Sequence, residues 1–344
     1  MTIALLLGGT SSERHVSMAS GRGMAEALTE RGHTVLLFDP ARGGSARISF
    51  DELELPTTIA PTPEELAAFS NTAVLEAVMS IPETVDVVAL ALHGSPGEDG
   101  TVQSVLEMRG LPYTGSGPLA SALALDKAMS KRLFEHAGVD TPRWFLEPSG
   151  VNAEASIAEQ ADQVTGYPVV VKPNVGGSTV GLTIVEDESG LAEAFALAGR
   201  YSPSVLFEEF IEGRELTVTV LGEETLPAVE IRPKSGIYDY ANKYTAGRTE
   251  YFCPAELTRA IEEEMRDLAL RAHEALGCTG YSRVDFRLDP DGGLWCLEVN
   301  TLPGMTATSL VPKAAAAAGI DYTTLCERIV QLGLERGASV RATE

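Results

Sequence analysis

The chain of 344 residues holds only four cysteines, Cys253, Cys278, Cys296 and Cys326, widely spaced and without a C-x-x-C pair. Such usage argues against a disulfide framework and against a thiolate zinc site, and it fits a cytoplasmic location. Basic residues are scarce: 26 Lys and Arg stand against 49 Asp and Glu, a formal charge of −23. Without a dense Lys/Arg run, the chain repels nucleic acid and anionic lipid, so neither nucleic acid nor a membrane is expected as partner. No apolar run approaches the ~20 residues of a membrane-spanning helix. The opening apolar run has no basic region before it and is too short for a signal peptide, so it reads as a buried strand. Two glycine fingerprints are missing as well. The turn Gly8-Gly9-Thr10-Ser11-Ser12-Glu13 lacks G-x-G-x-x-G spacing, and G-x-x-x-x-G-K-[ST] occurs nowhere.

What is present has globular composition, 44% hydrophobic and 22% charged, and a length that suits two or three units of roughly 100 to 150 residues. Residues 3–7, the glycine turn, a helical pattern to about Arg31 and a strand at 34–38 make an α/β opening. Helix N-termini attract anions, yet Glu13 at that helix start is equally a plain dipole partner. Residues 51–63 read as a proline-rich connector, and 63–80 as a helix. The apolar strand 85–92 ends in His93-Gly94-Ser95-Pro96-Gly97-Glu98-Asp99-Gly100. Ligands in open α/β sheets sit beyond the carboxyl ends of strands, which places His93 and Glu98 where function often lies.

A second unit begins near Pro118. Its helix, 121–137, carries Asp126-Lys127, with Ser130 and Lys131 one turn on. The β run 168–172 ends in Lys172 and is followed by Asn174-Val175-Gly176-Gly177-Ser178-Thr179-Val180-Gly181. A lysine leaving a strand is usually snorkelling, but the backbone N–H groups of a loop this rich in glycine and hydroxyls can fold over phosphate. A strand at 205–211 and two more at 216–221 and 226–231 lead into 233–254, which lacks apolar periodicity. Loops of that length are functional or disordered.

After a helix at 255–276, residues 280–306 read as a hairpin. Val284, Phe286 and Leu288 alternate with Arg283, Asp285 and Arg287, while Trp295, Leu297 and Val299 alternate with Cys296, Glu298 and Asn300. Asp289-Pro290-Asp291-Gly292-Gly293 is turn chemistry. Folding back sets Asp285 beside Leu297 or Glu298; the register with Glu298 is preferred. Asp285, Glu298 and Asn300 then share one face with Arg283, a donor set suited to Mg²⁺, although a solvated outer face has the same alternation. An alanine-rich helix at 313–318 and an amphipathic one at about 322–333 close the chain. The last is expected against the third unit, with fraying beyond Arg336.

The run Glu298-Val299-Asn300-Thr301-Leu302-Pro303-Gly304-Met305-Thr306 resembles the end of the ATP-grasp fold. With ALHGSPGEDGTVQ, LPYTGSG and Ile237-Tyr238-Asp239-Tyr240-Ala241-Asn242-Lys243-Tyr244, the chain from Leu7 to Pro312 resembles the D-alanine:D-alanine ligase family. That resemblance implies three domains: a Rossmann-like parallel α/β domain over 1–118, then a two-domain ATP-grasp fold of α+β character over 119–213 and 214–344. It implies ATP-dependent joining of two D-alanines for peptidoglycan precursors, through an acyl phosphate, by a cytoplasmic homodimer.

By the same resemblance Asp285, Glu298 and Asn300 hold two Mg²⁺, with Mn²⁺ as an alternative. Lys127, Lys172 and Lys243 reach the ATP phosphates, and the 176–181 loop, with Gly177 and Ser178, covers them. Glu208 accepts from the adenine amino group, the backbone of Glu209 and Ile211 reads the ring edge, and Glu215 binds the ribose. Glu13 holds the first D-alanine's ammonium, with His93 nearby. Arg283, Ser309 and Leu310 position the second carboxylate. Arg283 and the Gly304 N–H form the oxyanion site, and Tyr244 closes on Ser178 and Glu13. Ligases that add D-lactate, D-serine or another amino acid are the nearest alternative, against which Tyr244 and the lid sequence weigh. A regulatory module without turnover would have lost the metal and phosphate residues, which are all present. Val175-Gly176 departs from the polar or charged residues of many relatives, and 152–165 matches nothing distinctive.

Overall fold

The opening apolar run forms β1 (Thr2–Leu6), the centre of a sheet in which it pairs in parallel with β2 (Thr34–Phe38) and β4 (Val87–Leu90). The short β3 (Arg47–Ile48) closes the β2 edge antiparallel. Ile3, Leu5, Val87 and Val88 are all fully buried, since helices cover both faces of a parallel sheet and its strands are apolar throughout. The covering helices are α1 (Arg14–Glu30), α2 (Asn71–Met79) and α3 (Thr101–Met108). The computed structural model describes residues 1–53, 69–150, 154–234 and 247–342. Among them no helix is long and apolar enough to cross a membrane.

Two helices, α4 (Pro118–Leu125) and α5 (Lys127–His136), replace the single helix expected at 121–137. Asp126 leaves the helical conformation and caps α5 by accepting from the Met129 N–H at 3.0 Å. A second, antiparallel sheet has the order β5 (Trp144–Pro148), β8 (Ser204–Glu209), β6 (Val169–Pro173), β7 (Thr183–Val185). Helices α6 (Glu154–Gln160) and α7 (Leu191–Ala198) accompany it, and the rings of Phe145 and Phe207 stack 4.5 Å apart in its core. The third sheet is also antiparallel: β12 (Thr249–Phe252), β11 (Val229–Pro233), β9 (Arg214–Leu221), β13 (Tyr281–Leu288), β14 (Leu294–Asn300), with β10 (Glu224–Thr225) on β9. The helix α8 (Arg259–Ala275) lies on it, and Phe134 of α5 and Ala124 of α4 enter the same apolar core.

Two further expectations are corrected. The alternation expected along β14 breaks, because Cys296 pairs with Phe286 while Glu298 pairs with Asp285, leaving Leu297 as one extra residue in a bulge. Cys296 and Val299 therefore both face the core, whereas Leu297, Glu298 and Asn300 lie on the open face. The last helix was expected on the third unit, ending near Gly333. It instead forms α10 (Tyr322–Ala342) after α9 (Leu310–Ala317), and it packs on α1 and β4. Its stripe Leu325, Cys326, Ile329 and Val330 is fully buried in the core of the first sheet, the apolar surface that completes it. His33 Nε2 holds Glu327 at 2.6 Å beside this seam.

Candidate active site

The β13–β14 bulge sets Asp285 against Glu298 and Arg283 against Asn300 on one face. Asp285 Oδ1 accepts from Thr217 Oγ1 at 2.7 Å and from Arg283 Nε at 2.8 Å, and its Oδ2 accepts from Arg283 Nη2 at 2.7 Å. Glu298 lies 3.4 Å from Lys127 Nζ, which donates to the Gly176 carbonyl at 2.6 Å. Among the described residues no group of three or more His, Cys, Asp and Glu is gathered for a metal. The donor set is two carboxylates with the Asn300 carboxamide, hard oxygens that fit Mg²⁺ sharing phosphate ligands.

Beside that face is a cavity of about 160 Å³ lined by Lys172, Phe210, Ile211, Glu215, Arg283 and Glu298, among others. Glu208 forms part of its wall yet is only 2% exposed. Lys172 Nζ donates to Glu208 Oε2 at 2.6 Å, and the Lys131 ammonium makes an ion-pair contact with Oε1. Burial alone would raise the Glu208 carboxyl, but the attraction of Lys131 and then Lys172 holds it below its ordinary value. The Glu209 side chain turns outward to Arg143, whose Nε lies 2.9 Å from its Oε2. Glu215 sits 3.6 Å from Arg287, which also donates to the Ile211 carbonyl at 3.0 Å.

A larger cavity of about 610 Å³ is lined by Glu13, His93, Arg283, Gly304, Ser309 and Leu310 among its residues. Glu13 owes its place to the turn after β1. Gly8 there has φ +78°, and an added Cβ would lie 2.8 Å from both Asp39 Oδ1 and Arg14 Nη1, a close approach only glycine permits. Buried Asp39 in turn accepts from Arg14 Nη1 at 2.7 Å and from the Gly9 N–H at 3.2 Å. Ser178 Oγ donates to Glu13 Oε1, so the glycine loop reaches across to the first helix. Ser178 and Thr179 both have positive φ, 54° and 58°, an uncommon state for residues with a Cβ. His93 Nδ1 is 3.7 Å from Glu98. Burial opposes its charge, but Glu98 and Glu13 outweigh that and raise it. Ser309 Oγ accepts from the Thr306 N–H at 3.1 Å at the start of α9.

The two cavities meet. Lys127, Gly176, Gly177, Ser178, Arg283 and Glu298 line both. The structure thus brings together seventeen of the nineteen site residues that the resemblance implies; Lys243 and Tyr244 lie outside the described residues. Sequence reasoning missed Thr217 beneath Asp285, the Arg14–Asp39 pair behind Glu13, and His15, which also lines the larger cavity. It also left Lys131 without a role. The available signal was its position four residues after Lys127, on the same helix face.

Two family descriptions match the chain, "D-ala D-ala ligase N-terminus" over residues 2–116 and "D-ala D-ala ligase C-terminus" over 133–331. The chain belongs to the D-alanine–D-alanine ligase family. Family members of known name include the D-alanine–D-alanine ligase of Bordetella petrii, 44% identical over 332 residues, covering 95% of this chain and 90% of that one. The same enzyme of a Synechococcus strain is 43% identical over 345 residues, with 99% and 96% covered. Among solved structures, D-alanine–D-alanine ligase from Bacillus anthracis complexed with ATP superposes with a TM-score of 0.78 at 31% identity, covering 99% of each chain. The VanG D-Ala:D-Ser ligase from Enterococcus faecalis gives 0.77 at 29% identity, over 96% of this chain and 99% of that one.

Proposed function

We propose that this protein joins two D-alanine molecules to D-alanyl-D-alanine, converting ATP to ADP and phosphate, for cell-wall peptidoglycan precursors. The observation that carries this reading is the junction of the two cavities at Lys127, Ser178, Arg283 and Glu298. A nucleotide in the smaller cavity presents its γ-phosphate to an amino acid in the larger one, away from bulk water.

Glu208, the backbone of Glu209 and Ile211, and Glu215 take the adenosine, and Lys127, Lys172 and Lys243 take the phosphates beneath the Gly177–Ser178 loop. Asp285, Glu298 and Asn300 would hold two Mg²⁺, or Mn²⁺, which would supply charge neutralisation to the phosphates. Glu13, with His93 behind it, binds the ammonium of the first D-alanine. A carboxylate oxygen of that substrate bonds to the γ-phosphorus as the bond from phosphorus to ADP breaks. The second D-alanine, its carboxylate set by Arg283, Ser309 and Leu310, must lose a proton from an ammonium whose pKa is about 8. Its nitrogen then attacks the acyl carbonyl, and phosphate leaves. Arg283, aimed by its two bonds to Asp285, and the Gly304 N–H stabilise the oxyanion.

We further infer a cytoplasmic homodimer, with domain divisions near 118 and 213. Leu75 and Met79 of α2 are 48% and 55% exposed, and Met108, ending the neighbouring α3, is 88% exposed. That apolar face suits a second copy, and sedimentation velocity tests it. The resemblance in fold to a D-Ala:D-Ser ligase makes the acceptor the point to test. Purified protein with ATP, Mg²⁺ and D-alanine, alone or with D-serine or D-lactate, should yield the D-alanyl-D-alanine mass as main product. A predominant mixed product would reassign the acceptor.

A further inference from the structure

Lys131 is a fully buried cation that lines neither cavity. It sits on α5 one turn beyond Lys127, which lines both cavities. Its Nζ makes the ion-pair contact with Glu208 Oε1 and donates to Thr141 Oγ1 at 2.6 Å; that hydroxyl donates onward to the Cys296 carbonyl at 2.7 Å. One buried carboxylate therefore faces two buried ammonium groups, of which only Lys172 faces the smaller cavity.

The asymmetry matters once phosphate competes. A single buried Lys172–Glu208 pair would have to be broken for Lys172 to serve an incoming phosphate. The carboxylate left behind, desolvated and without a cation, would take up a proton and cease to be a pure acceptor. A second cation that the ligand cannot reach removes that conflict. Burial pushes Lys131 below its ordinary value while Glu208 pulls the other way, and the low value of Glu208 is set first among charges by Lys131.

We propose that Lys131 is a positioning residue for nucleotide recognition: it holds Glu208 fixed and ionised as acceptor for the adenine amino group, and so leaves Lys172 exchangeable to phosphate. This rests on the adenine role given to Glu208 above. A merely structural lysine tying α5, β8 and β14 together would affect all nucleotides alike.

The test compares ATP with inosine triphosphate, which carries a carbonyl in place of the amino group, at saturating D-alanine, for the parent enzyme, Lys131→Met and Glu208→Gln. Lys131→Met should raise KM for ATP about tenfold or more, move kcat less than about threefold, and narrow the ATP-to-ITP preference in kcat/KM by the same factor as KM. Lys131→Arg should restore most of the preference. If Lys131→Met does not fold, Thr141→Val, which keeps the charge but removes the hydroxyl that Nζ donates to, should narrow the preference about threefold. A folded variant at 131, or failing that at 141, with unchanged preference and only a lower melting temperature overturns the proposal. Glu208→Gln separates the two readings. If it narrows the preference while Lys131→Met does not, only the role of Lys131 falls; if it leaves the preference intact, the adenine role of Glu208 falls and the proposal with it.

Discussion

Asp285 faces Glu298 across the β13–β14 ladder because β14 spends one extra residue, Leu297, in a bulge. In an unbroken ladder continuing from the Phe286–Cys296 pair, Asp285 would oppose Leu297 and Glu298 would turn into the apolar core beside Val284. The bulge brings Glu298 and Asn300 out beside Asp285 and returns Val299, 3% exposed, to the core. Glu298→Gln keeps that shape and removes one charge from the proposed metal face. Turnover should fall about a hundredfold or more, with the melting temperature within a few degrees of the parent. Unchanged kcat at saturating Mg²⁺ would remove Glu298 from the metal site.

Gly304 leaves little room for a side chain. A Cβ there would lie 3.0 Å from Ser309 Oγ, the hydroxyl that accepts from the Thr306 N–H. Gly304→Ala should therefore displace Ser309 and disturb two proposed contacts of the acceptor at once. Loss of about tenfold or more in kcat/KM for D-alanine is expected, with KM for ATP nearly unchanged. Steady-state kinetics with each substrate varied reads this directly, and equal losses for both substrates would argue for a general defect.

Arg283 grips both oxygens of Asp285 with a planar fork, through Nε at 2.8 Å and Nη2 at 2.7 Å. Lysine keeps the charge but has no fork. Arg283→Lys should lower kcat about a hundredfold, since the proposed oxyanion donor is misplaced, while nucleotide binding measured by calorimetry stays within a few-fold. Retained kcat would take Arg283 out of the chemical step.

Much of the candidate site's geometry was legible because the side chains proposed for the chemistry sit where local pattern is strong. Asp285 and Arg283 lie on a strand whose alternate residues Val284 and Phe286 are fully buried, so a period of two exposes them to inspection. The bulge at Leu297 was not legible, since one added residue leaves both flanking patterns intact and only the partner strand reveals the slip. Lys131 was passed over because a lysine on a helix is ordinarily solvated, and its partner Glu208 lies 77 residues further along the chain. The apolar stripe of α10 announced a buried face, but which core it would complete depended on the first sheet, nearly the whole chain away.

His273 offers a pH test of the fold independent of catalysis. It is 5% exposed, its Nδ1 lies 2.7 Å from Ser282 Oγ, and burial lowers its pKa to about 4. Between that value and the ordinary 6.5 the unfolded chain binds a proton that the folded one refuses, so stability falls as pH falls through this window. The full shift corresponds to about 3 kcal/mol. Urea unfolding at pH 7 and pH 5 should show a smaller loss in His273→Gln than in the parent. Equal losses would mean that His273 does not carry the dependence.

The claim that the γ-phosphoryl group passes straight from the smaller cavity to a carboxylate in the larger one is tested most directly with D-alanine labelled by heavy oxygen in its carboxylate. After turnover with ATP and Mg²⁺, the released phosphate should carry one heavy oxygen, drawn from the substrate as the acyl phosphate is broken by the amine. Phosphate free of label would mean that water, and not D-alanine, receives the phosphoryl group, and would contradict the reading of the joined cavities.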